Sequence, residues 1–123
     1  MHKVLGLGFE HKGVKIFANL VPREDKQVTL FCEKMDKNCV SAIYKVVKCL
    51  INEFGVMSFN LGTVFPPLVK DDEWKDMPVI TRIVDRGKLE EKTADIGGME
   101  IYDMANVIPT DPYKVIEKIK SYF

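Results

Sequence analysis

Alternation of hydrophobic and polar residues along the chain predicts four β-strands. In the first of them, Val14 and Ile16 fall on one face and Lys15 on the other, as expected for a strand with one buried side. A further extended segment is predicted later in the chain, shortly after the glycine pair Gly97-Gly98. The predicted strands cover residues 14–21, 28–32, 57–65 and 79–86, and the further segment covers 100–108.

A period of 3.6 residues predicts one long helix and one short C-terminal helix. The long helix begins at an N-cap candidate, Asp36 or Asn38, and ends before Gly55, which stands where a C-terminal glycine is favoured. The short helix begins with Asp111 as the N-cap and Pro112 at the first helical position. The predicted buried stripes are Val40, Ile43, Tyr44, Val47, Ile51 and Phe54 in the first helix, and Val115, Ile116, Ile119, Tyr122 and Phe123 in the second.

The order of these elements predicts the fold class. Strand follows strand without an intervening helix after the long helix, which disfavours a doubly wound parallel sheet. The expected fold is therefore α+β, with a mainly antiparallel sheet, one long helix (about 36–54) and a C-terminal helix (about 111–122). A length of 123 residues predicts a single domain, 1–123, with its own core.

Composition and charge exclude several classes of protein. With 46% hydrophobic and 29% charged residues, the chain is typical of a globular protein rather than a disordered one. Eighteen basic and eighteen acidic residues cancel, which argues against nucleic acid as a partner bound by charge alone. No hydrophobic run approaches the roughly 20 residues that cross a bilayer, so no membrane partner is expected. The first residues lack the apolar stretch of a signal peptide, which predicts a cytoplasmic protein.

Cysteine and histidine are few and scattered. Cys32, Cys39 and Cys49 are odd in number and contain no C-x-x-C pair, so they are predicted to be buried thiols in a reducing compartment. Only His2 and His11 supplement them, and both precede the first predicted strand. Five such positions without metal-ligand spacing predict no metal site. The sequence also gives no indication of a cofactor.

Two of only three arginines share one face of the last predicted strand. The alternation places Arg82 and Arg86 on the same side, about 13 Å apart at roughly 3.3 Å per residue, so that together they bracket an anionic ligand such as a diphosphate. On the neighbouring strand, Asn60 is expected to bind a sugar hydroxyl, and Gly62 to let the ligand approach the backbone. The alternative is that carboxylates neutralise both arginines. The acidic residues considered for that role are Asp85, Asp95 and Glu100.

The motifs taken together resemble a histidine-triad (HIT-like) domain, and within that superfamily the C-terminal half of galactose-1-phosphate uridylyltransferase-type proteins. The resemblance covers residues 13–122 and rests on short motifs. They are strand 14–21, Pro22-Arg23, helix 36–54, Phe59-Asn60-Leu61-Gly62, Pro66-Pro67-Leu68, strand 79–86, Gly98-Met99-Glu100 and helix 111–120. By this resemblance, Asn60 faces a ribose or phosphate and Arg82 lies near the catalytic line of the family.

The departure from the family concerns its chemistry. Active histidine-triad enzymes carry a His-x-His-x-His strand whose central imidazole forms a nucleotidyl-histidine, whereas residues 79–84 read Val-Ile-Thr-Arg-Ile-Val. Arg82 cannot take over as the base because its guanidinium is not deprotonated in proteins. The resemblance therefore does not extend to nucleotidyl transfer of the usual kind, and the isolated chain is expected not to be an enzyme.

The function expected from these observations is a non-catalytic HIT-like module. It binds a nucleotide, a nucleotide sugar or a sugar phosphate, or it provides an assembly surface, with a homodimer or a separate catalytic half as the partner. A first alternative is a small enzyme acting on a phosphorylated metabolite, with Arg82 and Arg86 as the anion clamp and Asp85 or Glu100 as the acid or base. A second alternative is a structural self-association domain.

Overall fold

A computed structural model describes residues 1–87 and 108–123 and has an α+β fold. Five antiparallel strands form one sheet in the order β1-β2-β3-β5-β4. Within the described residues, two helices pack against each other and lie over β2 and β3 on one face of the sheet. The elements are β1 (Gly8–His11), β2 (Val14–Ala18), β3 (Val28–Cys32), α1 (Lys37–Phe54), β4 (Phe59–Val64), β5 (Val79–Asp85) and α2 (Pro112–Lys120). The predicted antiparallel α+β fold is confirmed.

Three of the four predicted strands are shorter in the structure. β2 stops at Ala18 rather than at residue 21, because the chain turns into a loop that Asn19 closes by donating its backbone N–H to the Gln27 carbonyl. β4 and β5 lose one or two residues at their ends. Gly97-Gly98, Asp95, Glu100 and most of the predicted segment 100–108 lie outside the described residues.

Strand β1 was not predicted from the sequence. It pairs with β2 through a two-residue turn in which Lys12 has φ 49° and Gly13 has φ 79°. Positive φ at both central residues is the hairpin turn whose twist matches that of the strands, and it usually requires Gly or Asn. Because lysine occupies the first position, the sequence does not indicate this turn. The four residues of β1 are also too few to show alternation.

The ends of α1 agree with the sequence prediction. The Asp36 carboxylate accepts hydrogen bonds from the backbone N–H groups of Asn38 and Cys39, both at 3.0 Å, so it is the N-cap. Gly55 adopts a left-handed conformation with φ 63° and donates its N–H to the Ile51 carbonyl. Both ends thus satisfy backbone groups that have no partner within the helix.

The predicted buried stripe of α1 is wrong for half of its residues: Ile43, Val47 and Phe54 pack against the core, whereas Val40, Tyr44 and Ile51 are exposed. At about 100° per residue, the hydrophobic residues of α1 cover more than half of its circumference. Only part of this arc packs against the sheet, and that part differs in part from the predicted stripe. Val40 and Tyr44 are 55% and 63% exposed, and Val47 is only half-buried. The side chains that face the core are smaller on average and allow close packing. They are Cys39, Ala42, Val46, Cys49 and Leu50.

The cysteine prediction is also wrong for two of the three residues. Cys32 at the end of β3 and Cys39 in the first turn of α1 form a disulfide, with a Cα–Cα distance of 6.2 Å that lies in the usual range. The turn between them reverses the chain, which seven residues of sequence separation do not reveal. Cys49 remains a buried thiol, and its burial raises its pKa to about 11.

The C-terminal helix α2 closes the core, as its predicted stripe suggests. Asp111 caps it by accepting the Tyr113 N–H at 2.9 Å, and Val115, Ile116 and Ile119 are buried. Just after the helix, the Tyr122 hydroxyl donates a hydrogen bond of 3.0 Å to Glu53 of α1. That hydrogen bond and the nearby Lys118 ammonium lower the pKa of the Glu53 carboxyl.

Candidate functional site

Within residues 1–87 and 108–123, the helices cover one face of the sheet and leave the other without a helix. Residues directly opposite each other on paired strands share a face, so the register of the strands assigns each side chain to one face of the sheet. Ile16, Leu30 and Thr81 form one such row, and all three are fully buried. The opposite face carries the row Phe17, Thr29, Arg82 and Gly62, taken in order from β2 to β4. We call this second surface the open face.

An aromatic cluster lies at the β2 and β3 side of the open face. The rings of Phe17 and Phe31 stack with their centroids 5.3 Å apart, and the His2 ring lies 4.7 Å from that of Phe17. Phe17 and Phe31 are half-buried, so part of each ring faces outward. Stacked aromatic side chains of this kind are able to hold another planar ring by the same geometry.

Arg82 lies beside this cluster and is exposed. Among residues 1–87 and 108–123, no carboxylate lies within ion-pair distance of its guanidinium. Gly62 is its direct neighbour on β4, and a Cβ added at Gly62 would meet nothing within 4 Å. Asn60 pairs with Val84 and therefore shares the open face with Arg82. Three of the four predicted site residues are thus neighbours on one surface.

Arg86, the fourth predicted site residue, follows the last residue of β5. Its backbone N–H donates to the Ser58 carbonyl at 2.9 Å, so the residue after β5 still lies beside the segment that precedes β4. Arg86 is exposed like Arg82, and the role of the two arginines as a clamp stays a prediction.

Asp85 forms its ion pair with Lys26 rather than with Arg82. Through its pairing with Phe59 it lies on the face opposite to Arg82, and its carboxylate binds the Lys26 ammonium at 2.8 Å. Lys26 also pairs with Asp25. Burial opposes the charge on Lys26, but hydrogen bonds from its ammonium to both carboxylates outweigh burial and raise its pKa. The hypotheses that Asp85 neutralises Arg82 or acts beside it as an acid or base are therefore wrong.

The sequence missed four residues of the open face. Phe17, Thr29 and Phe31 alternate with the core residues of β2 and β3 and can be recognised only once the register is known. Asn19 joins them because its side-chain oxygen accepts a hydrogen bond of 3.1 Å from the Thr29 hydroxyl. The alternation of residues 14–18 already separated Phe17 from the core, but nothing in the sequence paired it with Thr29.

Neither a metal centre nor a membrane segment is evident in the part of the chain that the structure describes. No group of three or more His, Cys, Asp or Glu side chains there is arranged to hold a metal ion. No helix within the same residues is long and apolar enough to span a membrane.

Similarity to known proteins is found at the level of the fold. No protein-family model matches the sequence, and no curated protein matches it either. A mutant uridylyltransferase structure superimposes with a TM-score of 0.69 at 16% identity, covering 94% of this chain and 42% of that one. A second uridylyltransferase structure gives 0.70 at 15% identity, covering 95% and 41%.

A shorter protein has the same fold. The structure of a Hit-like protein involved in cell-cycle regulation from Bartonella henselae, with an unknown ligand, gives a TM-score of 0.53 at 14% identity, covering 94% of this chain and 84% of that one. The predicted HIT-like fold is therefore confirmed. The chain spans about two fifths of the length of the two uridylyltransferases.

Proposed function

We propose that the open face binds a nucleotide or a nucleotide sugar without forming a covalent intermediate. The observation that carries the proposal is the row Phe17, Thr29, Arg82 and Gly62. It places an aromatic ring, a guanidinium and bare backbone on one surface, and the hydroxyl of the buried Thr29 holds Asn19 beside them. A base requires such a ring, a phosphate requires the guanidinium, and bare backbone lets the ligand lie close to the strand.

The spacing of the row suits a ligand with a ring at one end and a phosphate at the other. Two strand spacings separate Phe17 from Arg82, which amounts to roughly 10 Å at about 4.8 Å per strand. The flexible arginine side chain shortens that gap. A guanidinium binds phosphate through two parallel N–H groups, and such charge-assisted hydrogen bonds are about twice as strong as neutral ones.

Neutral polar groups flank the row at both sides. Asn19 lies next to Thr29, and its amide carries two N–H donors besides the oxygen that Thr29 contacts. Asn60 lies two residues before Gly62 on β4 and therefore on the same face. In this proposal they bind the hydroxyl groups of a ribose or of the second sugar, as the sequence analysis suggested for Asn60.

The side chains of β5 support binding rather than transfer. By alternation, Ile80, Arg82 and Val84 are the residues of β5 on the open face, and none of them supplies a nucleophile near neutral pH. The names of the two similar uridylyltransferases make uridine nucleotides the first ligands to test.

Titration calorimetry with UDP and UDP-glucose tests the proposal. We expect the parent to bind, and we expect Arg82→Lys to weaken binding about tenfold because lysine cannot offer the planar pair of donors. Arg23→Lys, in the loop between β2 and β3, is the matched control and should leave the affinity unchanged. Absence of binding at millimolar ligand, or equal affinity in the parent and Arg82→Lys, contradicts the proposal.

A second candidate function, self-assembly, is favoured by the outward side of α1. Val40, Tyr44 and Ile51 follow one another along this side and are 55%, 63% and 45% exposed. Met35 and Lys37 line a shallow groove together with Val40 and Tyr44. Hydrophobic residues grouped on one helix face in this way are typical of protein–protein contacts. We propose a second copy of this chain as the partner.

Sedimentation velocity over a wide concentration range tests this candidate. The parent is expected to form dimers as its concentration rises, and Tyr44→Glu to remain monomeric because it places a charge in the centre of the contact. Tyr113→Glu on α2 is the control, since Tyr113 is 45% exposed but lies on the other helix. A parent that stays monomeric throughout contradicts self-assembly.

A further inference from the structure

The N-terminal residues 1–7 form a turn whose second residue reaches the open face. Within the turn, the Leu7 N–H donates to the His2 carbonyl at 2.8 Å and the Leu5 N–H to the Met1 carbonyl at 3.2 Å. Leu7 itself is fully buried, and its carbonyl accepts the Ala18 N–H at 3.0 Å. Leu7 therefore fixes the end of the turn to β2, while the described hydrogen bonds of the preceding residues stay within the turn.

His2 lies against Phe17 from the side of β1. Gly8 is the β1 residue opposite Phe17, and the His2 Cβ lies 3.7 Å from the position that a Cβ on Gly8 would occupy. The same added atom would be 3.0 Å from the Phe17 Cβ. Glycine at position 8 thus leaves room for the contact between the two rings, whose centroids are 4.7 Å apart and inclined by 36°.

Phe17 therefore has an aromatic neighbour on each side. Phe31 approaches from β3, where it is fixed by the sheet, and His2 approaches from β1 on a surface turn. A planar ligand that stacks on Phe17 must take the place of one of them. Displacing His2 disturbs a turn, whereas displacing Phe31 disturbs the pairing of two strands.

We propose that His2 occupies the stacking position of the ligand's ring on Phe17, so that residues 1–7 compete with the ligand for the open face. This inference rests on the proposed nucleotide-binding function. A nucleobase displaces the imidazole and gains the same kind of ring contact. The measured affinity then equals the intrinsic affinity multiplied by the fraction of molecules in which His2 has left the stacking position on Phe17.

The experiment compares UDP and UDP-glucose binding to the parent, His2→Ala and Lys3→Ala. Removing the competing ring should tighten binding about 3- to 10-fold, in line with the strength of an aromatic pair. Lys3→Ala changes the same turn without removing a ring and should bind like the parent. In the parent, the imidazole C–H resonances of His2 should shift on ligand addition, because the ring leaves the shielding region of Phe17.

The outcomes separate this inference from the function on which it rests. Tighter binding by His2→Ala than by the parent supports both. Parent binding with unchanged or weakened affinity in His2→Ala overturns the competition and leaves the proposed function standing. Absence of binding by the parent and by His2→Ala overturns both.

Discussion

The two faces of this sheet are built from the same strands but differ in what lies against them. On the covered face, apolar side chains such as Ile16 and Leu30 are fully buried, and the helices lie over them. On the open face, Thr29 is buried, but Phe17, Phe31 and Arg82 keep part of their surface accessible, and Arg82 has no carboxylate partner within the described residues. The period of two in each strand separates the side chains that build the core from those of the open face, so that either face can change with limited effect on the other.

The largest effect should come from a charge on the covered side. Val46 of α1 is fully buried, so Val46→Asp places an unpaired carboxylate in the core and is expected to cost at least about 4 kcal/mol. Tyr44→Asp, on the exposed side of the same helix, should cost less than about 1 kcal/mol. Urea unfolding of both variants measures the difference. Similar losses in the two would contradict the orientation of α1.

A smaller effect is expected where charges are held at the end of β5. Lys26→Met removes the cation between Asp25 and Asp85, whose side chains are about four-fifths or more buried, and should cost about 3 kcal/mol at neutral pH. Because the folded-state pKa of Lys26 is raised above 10.5, this contribution is complete below pH 10.5 and is lost as the pH rises through the folded value.

Chemical unfolding of the parent and Lys26→Met between pH 7 and 11.5 measures this dependence. The stability gap should be constant up to about pH 10 and shrink above it. Lys15→Met, at an exposed position of β2, is the control for other groups that titrate in this range. A gap that is absent at neutral pH would contradict the role of Lys26.

Reduction of the Cys32–Cys39 disulfide should lower the free energy of unfolding by a similar or smaller amount. A loop of this length constrains the unfolded chain by roughly 2 to 3 kcal/mol in the chain-entropy description. Thiol titration in denaturant should find one free thiol before reduction and three afterwards. A variant with Cys32→Ala and Cys39→Ala should be insensitive to reductant. Three free thiols in the untreated protein would show that the bond does not form.

The smallest effects on stability are expected at two glycines of the open face, and the two should differ. A Cβ at Gly8 would lie 3.0 Å from the Phe17 Cβ and 3.2 Å from the Ile16 carbonyl oxygen, so Gly8→Ala should cost about 1 to 3 kcal/mol. A Cβ at Gly62 would meet nothing, and Gly62→Ala should change stability by less than about 1 kcal/mol. Thermal melts compare the two. An equal loss at Gly62 would indicate that the space above it is filled.

The sequence predicts the elements of this fold better than their faces. The caps at Asp36 and Asp111 and the left-handed glycine at Gly55 follow from local chemistry, and all three were predicted. The inward side of α1 was not, because its hydrophobic arc is wider than the sheet can cover and sequence alone does not choose between Val46 and Tyr44. Which part of the arc is buried depends on tertiary packing.

The candidate site shows the same limit. Arg82, Gly62 and Asn60 were grouped correctly on one face because they lie on two strands that alternate regularly. Phe17 and Thr29 were missed because their meeting depends on the register between β2 and β3, which no local pattern encodes. The sequence thus predicted which residues share a face on β4 and β5, and it did not predict the pairing of β2 with β3 that adds Phe17 and Thr29.

Asp25 brings together two chain positions that are far apart in sequence. Its carbonyl accepts the Asp85 N–H at 3.1 Å, and its carboxylate accepts both the N–H and the hydroxyl of Thr110, at 3.2 and 3.0 Å. The entrance and the exit of the intervening residues are thereby held at one point. Asp25→Ala would therefore remove the side-chain attachment of the segment that begins at Ile108, while the backbone hydrogen bond from Asp85 to residue 25 stays possible.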